Sequence, residues 1–505
     1  MEHYDVAIIG AGVSGAAIAR NLSSYDLSVV LLERECDVSF GVSKANSGII
    51  HAGFHHDHTM LKARLAVRGN LMYDALHREL HFPFRRCGIV VAAFSEEEMK
   101  SVERLHAQGI ENGVPGIELC SRSRLLALEP KLNPGVVGGL YAPTGGIVEP
   151  YRLVFSLVES AVKNGVVLKT GFDVVNAYRE GSGSVSYRIE SKSGKSLRAD
   201  WVVNAAGLYA DEVSRIFGAE DFRIIPRKGE EVLLERGAAS HTDRIVFPVP
   251  TARSKGVLVI PTVEGTTMLG PTAEAGEEKE DLGTTETGLQ KILDSARLLV
   301  PAVSERSIIT AFAGMRPTLP GEDFSIELSR KVPHLVQVAG IQSPGLTAAP
   351  ALAEYVGDML RRGGLRFVEK LEYDPEIPEV KRLRNAELSE IDLLVSGDPD
   401  YGEIVCQCET VSAAEIKTAV QRGHTTLDGI KFYTRAGMGR CQGGFCTYKT
   451  AEILAREKGL AWTELTRRGG GSYVTHDRIG ELEVRRSMGD VRDSDHRARE
   501  ERRSD

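Results

Sequence analysis

The sequence predicts an α/β fold: a Rossmann-type dinucleotide-binding domain interleaved with an antiparallel-sheet domain, followed by a small helical domain. A buried strand at 4–9, a glycine-rich turn and a helical pattern lead into a second strand at Leu27–Leu32, and this βαβ unit predicts a parallel sheet. From about residue 150 to 370, strand-like runs rich in β-branched residues alternate with helical patterns, which indicates a second, antiparallel-rich domain. Two close pairs of cysteines mark the C-terminal part.

Composition changes and turn residues divide the chain into parts. A stretch rich in proline and acidic residues starts at Tyr373 and is typical of a linker. Beyond it, Ser412 and Glu415 have the spacing of a capping box that opens a short helix. The last residues are of mixed charge, which indicates disorder. The predicted parts are 1–370 for the two interleaved domains, 371–400 for the linker, 401–465 for the small helical domain and 466–505 for a disordered tail.

Composition and charge exclude some classes of protein. The chain has 505 residues, of which 42% are hydrophobic and 26% charged, as in a globular protein of two or three domains. A net charge of -8 argues against a nucleic-acid-binding protein. No apolar run is long enough for a transmembrane segment and no signal-peptide pattern is visible. The odd number of cysteines, seven, argues against a disulfide framework. We therefore expect a cytoplasmic protein, and peripheral association with a membrane through a partner stays open.

A glycine-rich motif directly follows the first strand. Gly10 allows a tight turn, Gly12 lets the backbone approach a pyrophosphate, and Gly15 permits close packing of helix on sheet. The helix that follows points its N-terminus at the phosphates. Glu33 closes the second strand at the spacing of an acid that hydrogen-bonds a ribose hydroxyl. Together these features predict a dinucleotide site.

Two later segments favour FAD over NAD. A strand that begins at Val202 ends in small residues, where the backbone can pass close to a dinucleotide. The segment Ser343–Pro350 follows another strand and opens a long helix, whose N-terminus could stabilise negative charge on a reduced flavin. An ordinary strand–loop–helix connection would give the same pattern. The residues expected to contact FAD in these segments are Ala206, Gly207, Gly345, Leu346 and Thr347.

A small polar loop, Ser43–Gly53, follows the second strand. His51 is the candidate base, because oxidising an alcohol requires removal of its hydroxyl proton and histidine titrates in the right range. The alternative is a histidine that bonds only backbone or flavin. His55, His56 and His58 resemble a metal-binding tract, but no carboxylate or cysteine spacing supports one. The loop residues expected at the cofactor are Ser43, Asn46 and Ser47.

Two basic residues are candidates for binding an anionic substrate. Arg316 ends an apolar run and could bind an anion through two N–H groups. Lys255 could add a second positive contact. The alternative for each is a solvated surface charge; small and apolar neighbours argue against it for Arg316, and it stays open for Lys255. The other residues predicted here are Gly314 at the cofactor, and Ser47 and Ser343 at the substrate.

The four C-terminal cysteines are candidate metal ligands. Cys406 and Cys408 are separated by one residue, and Cys441 and Cys446 by four. Four thiolates suit a [2Fe–2S] cluster or a zinc ion. Zinc ribbons more often place two residues between paired cysteines, and purely structural cysteines are a further alternative.

Three segments in the first 365 residues resemble the FAD-dependent glycerol-3-phosphate dehydrogenase/oxidase branch of the D-amino-acid-oxidase superfamily. They are Lys44–Gly53, Phe312–Pro317 and Ser343–Pro350. The resemblance implies that His51 lies by the flavin and activates the substrate, and that Lys255 and Arg316 hold its phosphate. The related L-2-hydroxyglutarate dehydrogenases share the loop around His51, so this loop does not fix the substrate, and the Arg316 and Ser343 segments favour glycerol 3-phosphate.

The segment Thr434–Cys446 resembles the bacterioferritin-associated-ferredoxin-like [2Fe–2S] domain. This resemblance favours an iron–sulfur cluster over zinc. It implies that Gly439, Gly443 and Gly444 let backbone N–H groups approach the sulfurs and tune the potential.

The two resemblances imply a function. The expected reaction is oxidation of sn-glycerol 3-phosphate to dihydroxyacetone phosphate by hydride transfer to flavin N5, with electrons passing through the cluster. The acceptor is left open between a quinone, a ferredoxin and a partner subunit. The alternatives are oxidation of L-2-hydroxyglutarate or another 2-hydroxy acid, oxidation of an amine or amino acid, and, outside enzymes, an electron-transfer subunit without a substrate of its own.

Overall fold

The structure is a computed structural model that describes residues 1–180, 185–251, 256–276 and 278–475. Its described part forms two compact units. The first comprises Met1–Arg382 with Met438–Gln442, and the second comprises Leu383–Gly437 and the residues from Gly443 onward.

The helices and strands of the described residues alternate along most of the chain. The α-helices are α1 (Val13–Leu22), α2 (Leu61–Leu80), α3 (Glu96–Glu111), α4 (Arg122–Leu128), α5 (Pro150–Lys163), α6 (Ala210–Ile216), α7 (Glu286–Leu299), α8 (Gly345–Arg362), α9 (Leu388–Gly397), α10 (Ala413–Gln421), α11 (Leu427–Thr434) and α12 (Thr447–Lys458). The strands are β1 (His3–Ile9), β2 (Val29–Leu32), β3 (Ile49–Ile50), β4 (Phe84–Arg86), β5 (Ile89–Ala93), β6 (Glu118–Ser121), β7 (Gly138–Ala142), β8 (Gly146–Val148), β9 (Val167–Lys169), β10 (Val174–Glu180), β11 (Ser186–Ser191), β12 (Ser196–Asn204), β13 (Ile225–Leu234), β14 (Ile245–Pro248), β15 (Leu258–Pro261), β16 (Thr267–Gly270), β17 (Glu274–Ala275), β18 (Ile308–Thr318), β19 (Ser325–Leu328), β20 (Leu335–Ala339), β21 (Ile404–Cys406) and β22 (Val411–Ser412).

An eight-stranded sheet forms the Rossmann-type part of the first unit. Its parallel centre consists of β9, β2, β1, β12 and β20, and β10, β11 and β19 join it antiparallel. Every residue of β2 and β20 is buried, because helices cover both faces of such a sheet. Helix α1 packs against α5 and α8, and α8 also packs against α2. The predicted parallel sheet is confirmed.

A nine-stranded sheet forms the second domain of this unit. Eight of its strands follow the order β17-β13-β16-β15-β14-β5-β7-β6, and the ninth, β18, also pairs with β13. All its pairs are antiparallel except β14 with β5. The predicted antiparallel sheet is therefore confirmed.

The chain passes repeatedly between these two sheets, so the domains are interleaved. Strands β1, β2, β12 and β20 belong to the first sheet, while β5–β7 and β13–β18 belong to the second. The segments after β2, β12 and β20 start at the carboxyl ends of parallel strands, where ligands of open α/β sheets bind. The glycine-rich turn and the polar loop leave the sheet from this edge.

The segment 371–400, predicted to be a linker, contains hydrogen bonds to the first unit and a helix. Its first part is fixed to the first unit: Asn164 donates to the Asp374 carbonyl oxygen over 2.7 Å, and the Ile377 N–H donates to the Glu79 carbonyl oxygen over 3.0 Å. Its second part forms α9. Neither glycine nor proline interrupts residues 388–396, so nothing in the sequence stops a helix there.

The second unit packs α10, α11 and α12 together next to the short β21–β22 hairpin. The capping box of Ser412 and Glu415 at α10 is present, as predicted. Within the predicted tail, residues 466–475 are hydrogen-bonded to the start of α11: the N–H of Asp428 donates to the Arg467 carbonyl oxygen over 2.8 Å. The rest of that segment, 476–505, lies outside the described residues.

Candidate active site and cofactor-binding site

The turn after β1 has room only for glycine at two positions. Gly10 has φ +104°, and a Cβ added there would lie 2.5 Å from the carbonyl oxygen of Ala205. A Cβ on Gly15 would lie 1.9 Å from the carbonyl oxygen of Gly10. Helix α1 begins with Gly12 as its N-cap and has no side-chain cap. The turn therefore brings the backbone to a helix N-terminus without a side-chain cap, which fits the pyrophosphate of a dinucleotide.

Glu33 and Ser43 lie beside this turn. The Glu33 carboxylate accepts the Ala11 N–H at 2.8 Å and the Glu35 N–H at 3.0 Å. Burial raises the pKa of Glu33, and these two N–H groups partly offset the rise. Ser43 accepts the Val13 N–H at 2.9 Å. The structure thus brings two predicted cofactor-binding residues, far apart in sequence, to the start of α1.

The predicted residues after β12 lie next to the same turn. A Cβ on Gly10 would lie 3.1 Å from the Cα of Ala206, because β1 and β12 are parallel neighbours that end together. Gly207 has φ +58° and starts a short 3-10 helix. Asn204 fixes the end of β12 by donating to the Ala210 carbonyl oxygen at 2.7 Å.

His51 is buried and held from two sides. Its backbone N–H donates to the Thr347 hydroxyl over 2.9 Å, and its Nε2 lies 3.2 Å from the Ser343 Oγ. Its carbonyl oxygen accepts from Asn70 at 2.9 Å. Leu346, one residue before Thr347, accepts the Tyr73 hydroxyl at 2.5 Å. Three predicted residues of the α8 segment therefore lie at or next to the candidate base.

The ring of His51 has aromatic neighbours. His55 and Phe247 lie with ring centroids 5.8 Å and 6.1 Å from it. His55 also stacks on Phe54 at 4.2 Å. A small cavity is lined by His51, Gly53, His55, His56, Ala63, Ala66 and Pro344. His58 points elsewhere and pairs with Glu111 at 3.2 Å, so the four histidines do not form one group.

The loop that carries His51 also reaches the second sheet. Asn46 stabilises the loop itself: it donates to the Ser43 carbonyl oxygen at 2.8 Å and accepts the Gly48 N–H at 2.9 Å. Ser47 donates a hydrogen bond of 2.8 Å to the carboxylate of Glu231 on β13. Ser47 therefore links the candidate base loop to the strand pair β13–β18.

The buried carboxyl group of Glu231 and the guanidinium of Arg316 influence each other electrostatically across these strands. Burial raises the pKa of Glu231 to about 7, although the Ser47 hydrogen bond and the charge of Arg316 oppose the rise. Burial likewise lowers the pKa of Arg316, and the charge of Glu231 opposes that change. Arg316 also donates to the Thr272 carbonyl oxygen at 3.2 Å. Glu231 was not among the residues predicted from the sequence, because its strand also carries Arg227, Lys228 and Glu230 and no local pattern distinguishes it from them.

Two glycines make room around this pair. A Cβ on Gly229 would lie 2.4 Å from the Nη2 of Arg316, so the guanidinium lies directly over Gly229. A Cβ on Gly314 would lie 2.1 Å from the carbonyl oxygen of Ala45. Gly314, which was predicted at the cofactor, also lets β18 pack closely against the polar loop. Lys255, the other predicted anion-binding residue, lies outside the described residues.

The second unit brings two of the four predicted cysteine ligands together. The Cys446 thiol donates to the Cys406 sulfur and lowers the pKa of Cys406 to about 6, and the N–H groups of Gly437 and Glu409 lower it further. Thiolate-favouring surroundings with N–H donors fit a sulfur that binds a metal. No disulfide joins any of the cysteines, all of which lie in the described ranges.

Across the described ranges, no group of three or more His, Cys, Asp or Glu side chains is placed to hold a metal ion. The donor chemistry of Cys406 and Cys446 nevertheless fits a metal or cluster site.

The fold and the site together define a class: a dinucleotide-dependent oxidoreductase with a Rossmann-type domain and an antiparallel-sheet domain. Comparison with protein families narrows it. Residues 5–359 match the FAD dependent oxidoreductase family, and residues 404–456 match the BFD-like [2Fe-2S] binding domain. The chain therefore belongs to the FAD dependent oxidoreductase family, and it is a flavoprotein with a C-terminal [2Fe-2S]-type domain.

Individual proteins agree with this assignment. A glycerol 3-phosphate dehydrogenase of Caloramator mitchellensis is 42% identical over 93% of this chain and 98% of its own length. The solved structure of dithionite-reduced L-alpha-glycerophosphate oxidase from Mycoplasma pneumoniae with FAD bound has a TM-score of 0.71 and 31% identity, and covers 75% of this chain and 100% of its own. The mitochondrial L-2-hydroxyglutarate dehydrogenase of Arabidopsis thaliana is 28% identical over 72% of this chain and 84% of its own.

None of the helices in the described ranges combines the length and the apolar character that crossing a membrane requires.

Proposed function

We propose that the protein oxidises sn-glycerol 3-phosphate to dihydroxyacetone phosphate with FAD as the electron acceptor. One observation carries the proposal: a single loop holds the buried His51 and, four positions earlier, Ser47, which bonds to Glu231 beside Arg316. A base for the hydroxyl proton and a cation for the phosphate are thereby supplied by neighbouring parts of the structure. The named glycerol 3-phosphate relatives support the same substrate.

His51 is the group that removes the proton. Its backbone N–H is bonded to Thr347, and its ring places Nε2 toward Ser343. Neutral imidazole accepts the C2 hydroxyl proton of the substrate as the C2–H bond breaks. Ser343 lies at hydrogen-bond distance from the same nitrogen and orients the ring.

Arg316 binds the phosphate. Its guanidinium lies flat over Gly229 and is partly buried, which strengthens its attraction for a dianion. Lys255 is proposed as a second phosphate contact. Anchoring the phosphate fixes the distance of C2 from His51, so that only a substrate of the right length presents its hydroxyl to the base.

The residues that would hold FAD lie around the N-termini of α1 and α8. Gly10 and Gly15 allow the tight turn and the close packing of α1, Gly12 lets the backbone approach the pyrophosphate, and Glu33 suits the ribose. Bound FAD would supply the hydride acceptor, at N5. Helix α8 starts at Gly345 without a side-chain cap, so its N-terminus can stabilise the negative charge that reduction brings.

Cys406, Cys408, Cys441 and Cys446 are proposed to hold a [2Fe–2S] cluster. Such a cluster accepts electrons singly and would connect the flavin to an external one-electron acceptor. The family match over 404–456 and the contact between Cys406 and Cys446 support this proposal.

The second candidate is a 2-hydroxy acid such as L-2-hydroxyglutarate. The likeness to the plant dehydrogenase reported above favours this candidate. Such an acid also offers an anion to Arg316 and a secondary alcohol to His51.

An anaerobic titration separates these candidates. The purified holoenzyme is mixed with sn-glycerol 3-phosphate or with L-2-hydroxyglutarate while flavin and iron–sulfur absorbance are followed. We expect stoichiometric flavin bleaching by the phosphate only. Arg316→Ala should raise the concentration needed, whereas Arg306→Ala, an exposed residue before the same strand, should behave as the wild type. No bleaching by the phosphate in FAD-loaded protein contradicts the proposal.

A further inference from the structure

The carboxyl group of Glu231 is unusually placed for an acid. The residue is 3% exposed. Its Oε1 accepts the Ser47 hydroxyl at 2.8 Å, while its Oε2 is buried without a hydrogen-bond partner among the described residues. A buried carboxylate oxygen without a donor is costly, and a protonated one can itself become a donor.

Strand geometry determines which charges face this carboxyl group. Alternate residues of a strand share a face, so Arg227, Gly229 and Glu231 of β13 lie on one side. On β18, Arg316 pairs with Arg227 across the strands, and its guanidinium passes over Gly229 toward Glu231. The facing groups are therefore Arg316 and Arg227 from the two strands and the Ser47 hydroxyl from the loop.

The charged residues on the other face of β13 bond to partners away from Glu231. Lys228 pairs with Asp281 at 2.9 Å. Glu230 accepts the N–H and the hydroxyl of Thr285, each at 3.0 Å, at the start of α7. On the β16 side, Gly270 is the close neighbour of Glu231 and brings no charge. Among the described residues, Arg316 is therefore the cation whose charge favours ionised Glu231.

An anion that binds Arg316 competes with Glu231. Burial opposes ionisation of Glu231 and Arg316 favours it, and the balance leaves the pKa of Glu231 at about 7. A dianion bound to Arg316 adds negative charge next to this carboxyl group. It also offsets the positive charge of the arginine, which otherwise favours ionised Glu231. Both effects raise the pKa of Glu231 further.

We propose that Glu231 is a positioning residue coupled to a proton: ionised, it orients Arg316 and Ser47 in the absence of substrate, and it takes up one proton from solvent when a dianionic substrate binds Arg316. The new O–H bond forms on the carboxylate, so that charge near the anion is balanced. The inference rests on the proposed function for its assignment of Arg316 to substrate binding.

Sulfate is the probe that tests the inference, because it stays a dianion between pH 6 and 9. Its affinity for the holoenzyme is measured through the perturbation of flavin absorbance in the wild type, Glu231→Gln and Glu230→Gln. In the wild type the dissociation constant should rise above pH about 7 by up to about tenfold per pH unit, the limit for one coupled proton. Glu231→Gln should remove this rise, and Glu230→Gln, the same change one residue away on the opposite face, should keep it.

Proton uptake is measured directly in a weakly buffered solution with a pH indicator. Mixing with sulfate near pH 8 should consume protons in the wild type and in Glu230→Gln, and not in Glu231→Gln. Equal pH dependence in the wild type and Glu231→Gln overturns the inference, as does the absence of sulfate binding at pH 6. Failure of glycerol 3-phosphate to bleach the flavin, with the sulfate results as expected, overturns the proposed substrate instead.

Discussion

The Nε2 atom of His51 lies 3.2 Å from the Oγ atom of Ser343, although 292 positions of the chain separate the two residues. A second bond, 2.9 Å from the His51 N–H to Thr347 Oγ1, fixes the backbone of the same histidine to the first turn of α8. The polar loop after β2 and the segment after β20 thus form one site, and the orientation of the candidate base depends on both.

Replacing His51 by asparagine should lower kcat by about 10²–10⁴-fold, the usual contribution of a general base. FAD content should not change. His58→Asn is the matched control, since His58 side chain is 48% exposed and pairs with Glu111; it should retain wild-type turnover. Steady-state kinetics at saturating glycerol 3-phosphate measure both variants. A His51→Asn enzyme within tenfold of wild type would show that another group takes the proton.

Gly229→Ala should weaken binding of the anionic substrate. The added Cβ would lie 2.4 Å from the end of the Arg316 side chain, which is flexible, so the guanidinium moves while the fold stays intact. Loss of hydrogen bonds from a charged donor costs about 1.5–3 kcal/mol, and we expect KM to rise roughly tenfold to a hundredfold with little change in kcat. Gly397→Ala, where the added Cβ meets nothing within 4 Å, should leave KM unchanged. An unaltered KM in Gly229→Ala would mean that Arg316 does not hold the substrate.

Gly10→Ala should impair FAD binding and stability together. The new Cβ would lie 2.5 Å from a backbone oxygen, at φ +104°, so backbone must shift at a cost of about 1–3 kcal/mol or more. Gly171→Ala also has a positive φ, +63°, but meets nothing within 4 Å, and should lower stability only slightly. Flavin-to-protein absorbance ratios and thermal unfolding compare the two. Full FAD content in Gly10→Ala would place the cofactor elsewhere.

Glu231 should make stability depend on pH. Its pKa is about 7 in the folded protein against an ordinary value of 4.5, so the fold favours the protonated form. This contribution is fully present below pH 4.5 and is lost as the pH rises to 7, by at most about 1.4 kcal/mol per pH unit. Relative to the wild type, Glu231→Gln should therefore gain stability as the pH rises from 5 to 8. Thermal unfolding across this range measures the difference; a constant difference between Glu231→Gln and wild type would contradict it.

Cys406→Ser combined with Cys446→Ser should abolish iron and acid-labile sulfide while leaving FAD in place. Cys120→Ser, a change at a buried cysteine of the flavin-binding unit, is the control and should keep both. Metal analysis and visible absorbance measure the outcome. Stoichiometric zinc in place of iron in the wild type would overturn the cluster proposal.

Much of the cofactor site was predictable because its constraints are local. Gly10, Gly12 and Gly15 are required by a turn between one strand and one helix, and Glu33 by the end of the next strand. The residues proposed to bind the substrate were harder to predict from the sequence. Gly229 and Glu231 matter because β13 pairs with β18 in a particular register, and no local pattern states that register. The missing side chain of Gly314, which was predicted at the cofactor, also accommodates the backbone of Ala45, and no local pattern indicates that contact.

The sequence alone determined the α/β class, the dinucleotide turn, the candidate base and the two domain types, since each depends on spacing within a short stretch of chain. Only the tertiary structure decided that Ser47 bonds to Glu231 and that Arg316 lies over Gly229. The reason is physical: the pKa of a carboxyl group depends on how deeply it is buried and on which charges face it, and both are set by strands that meet only after folding.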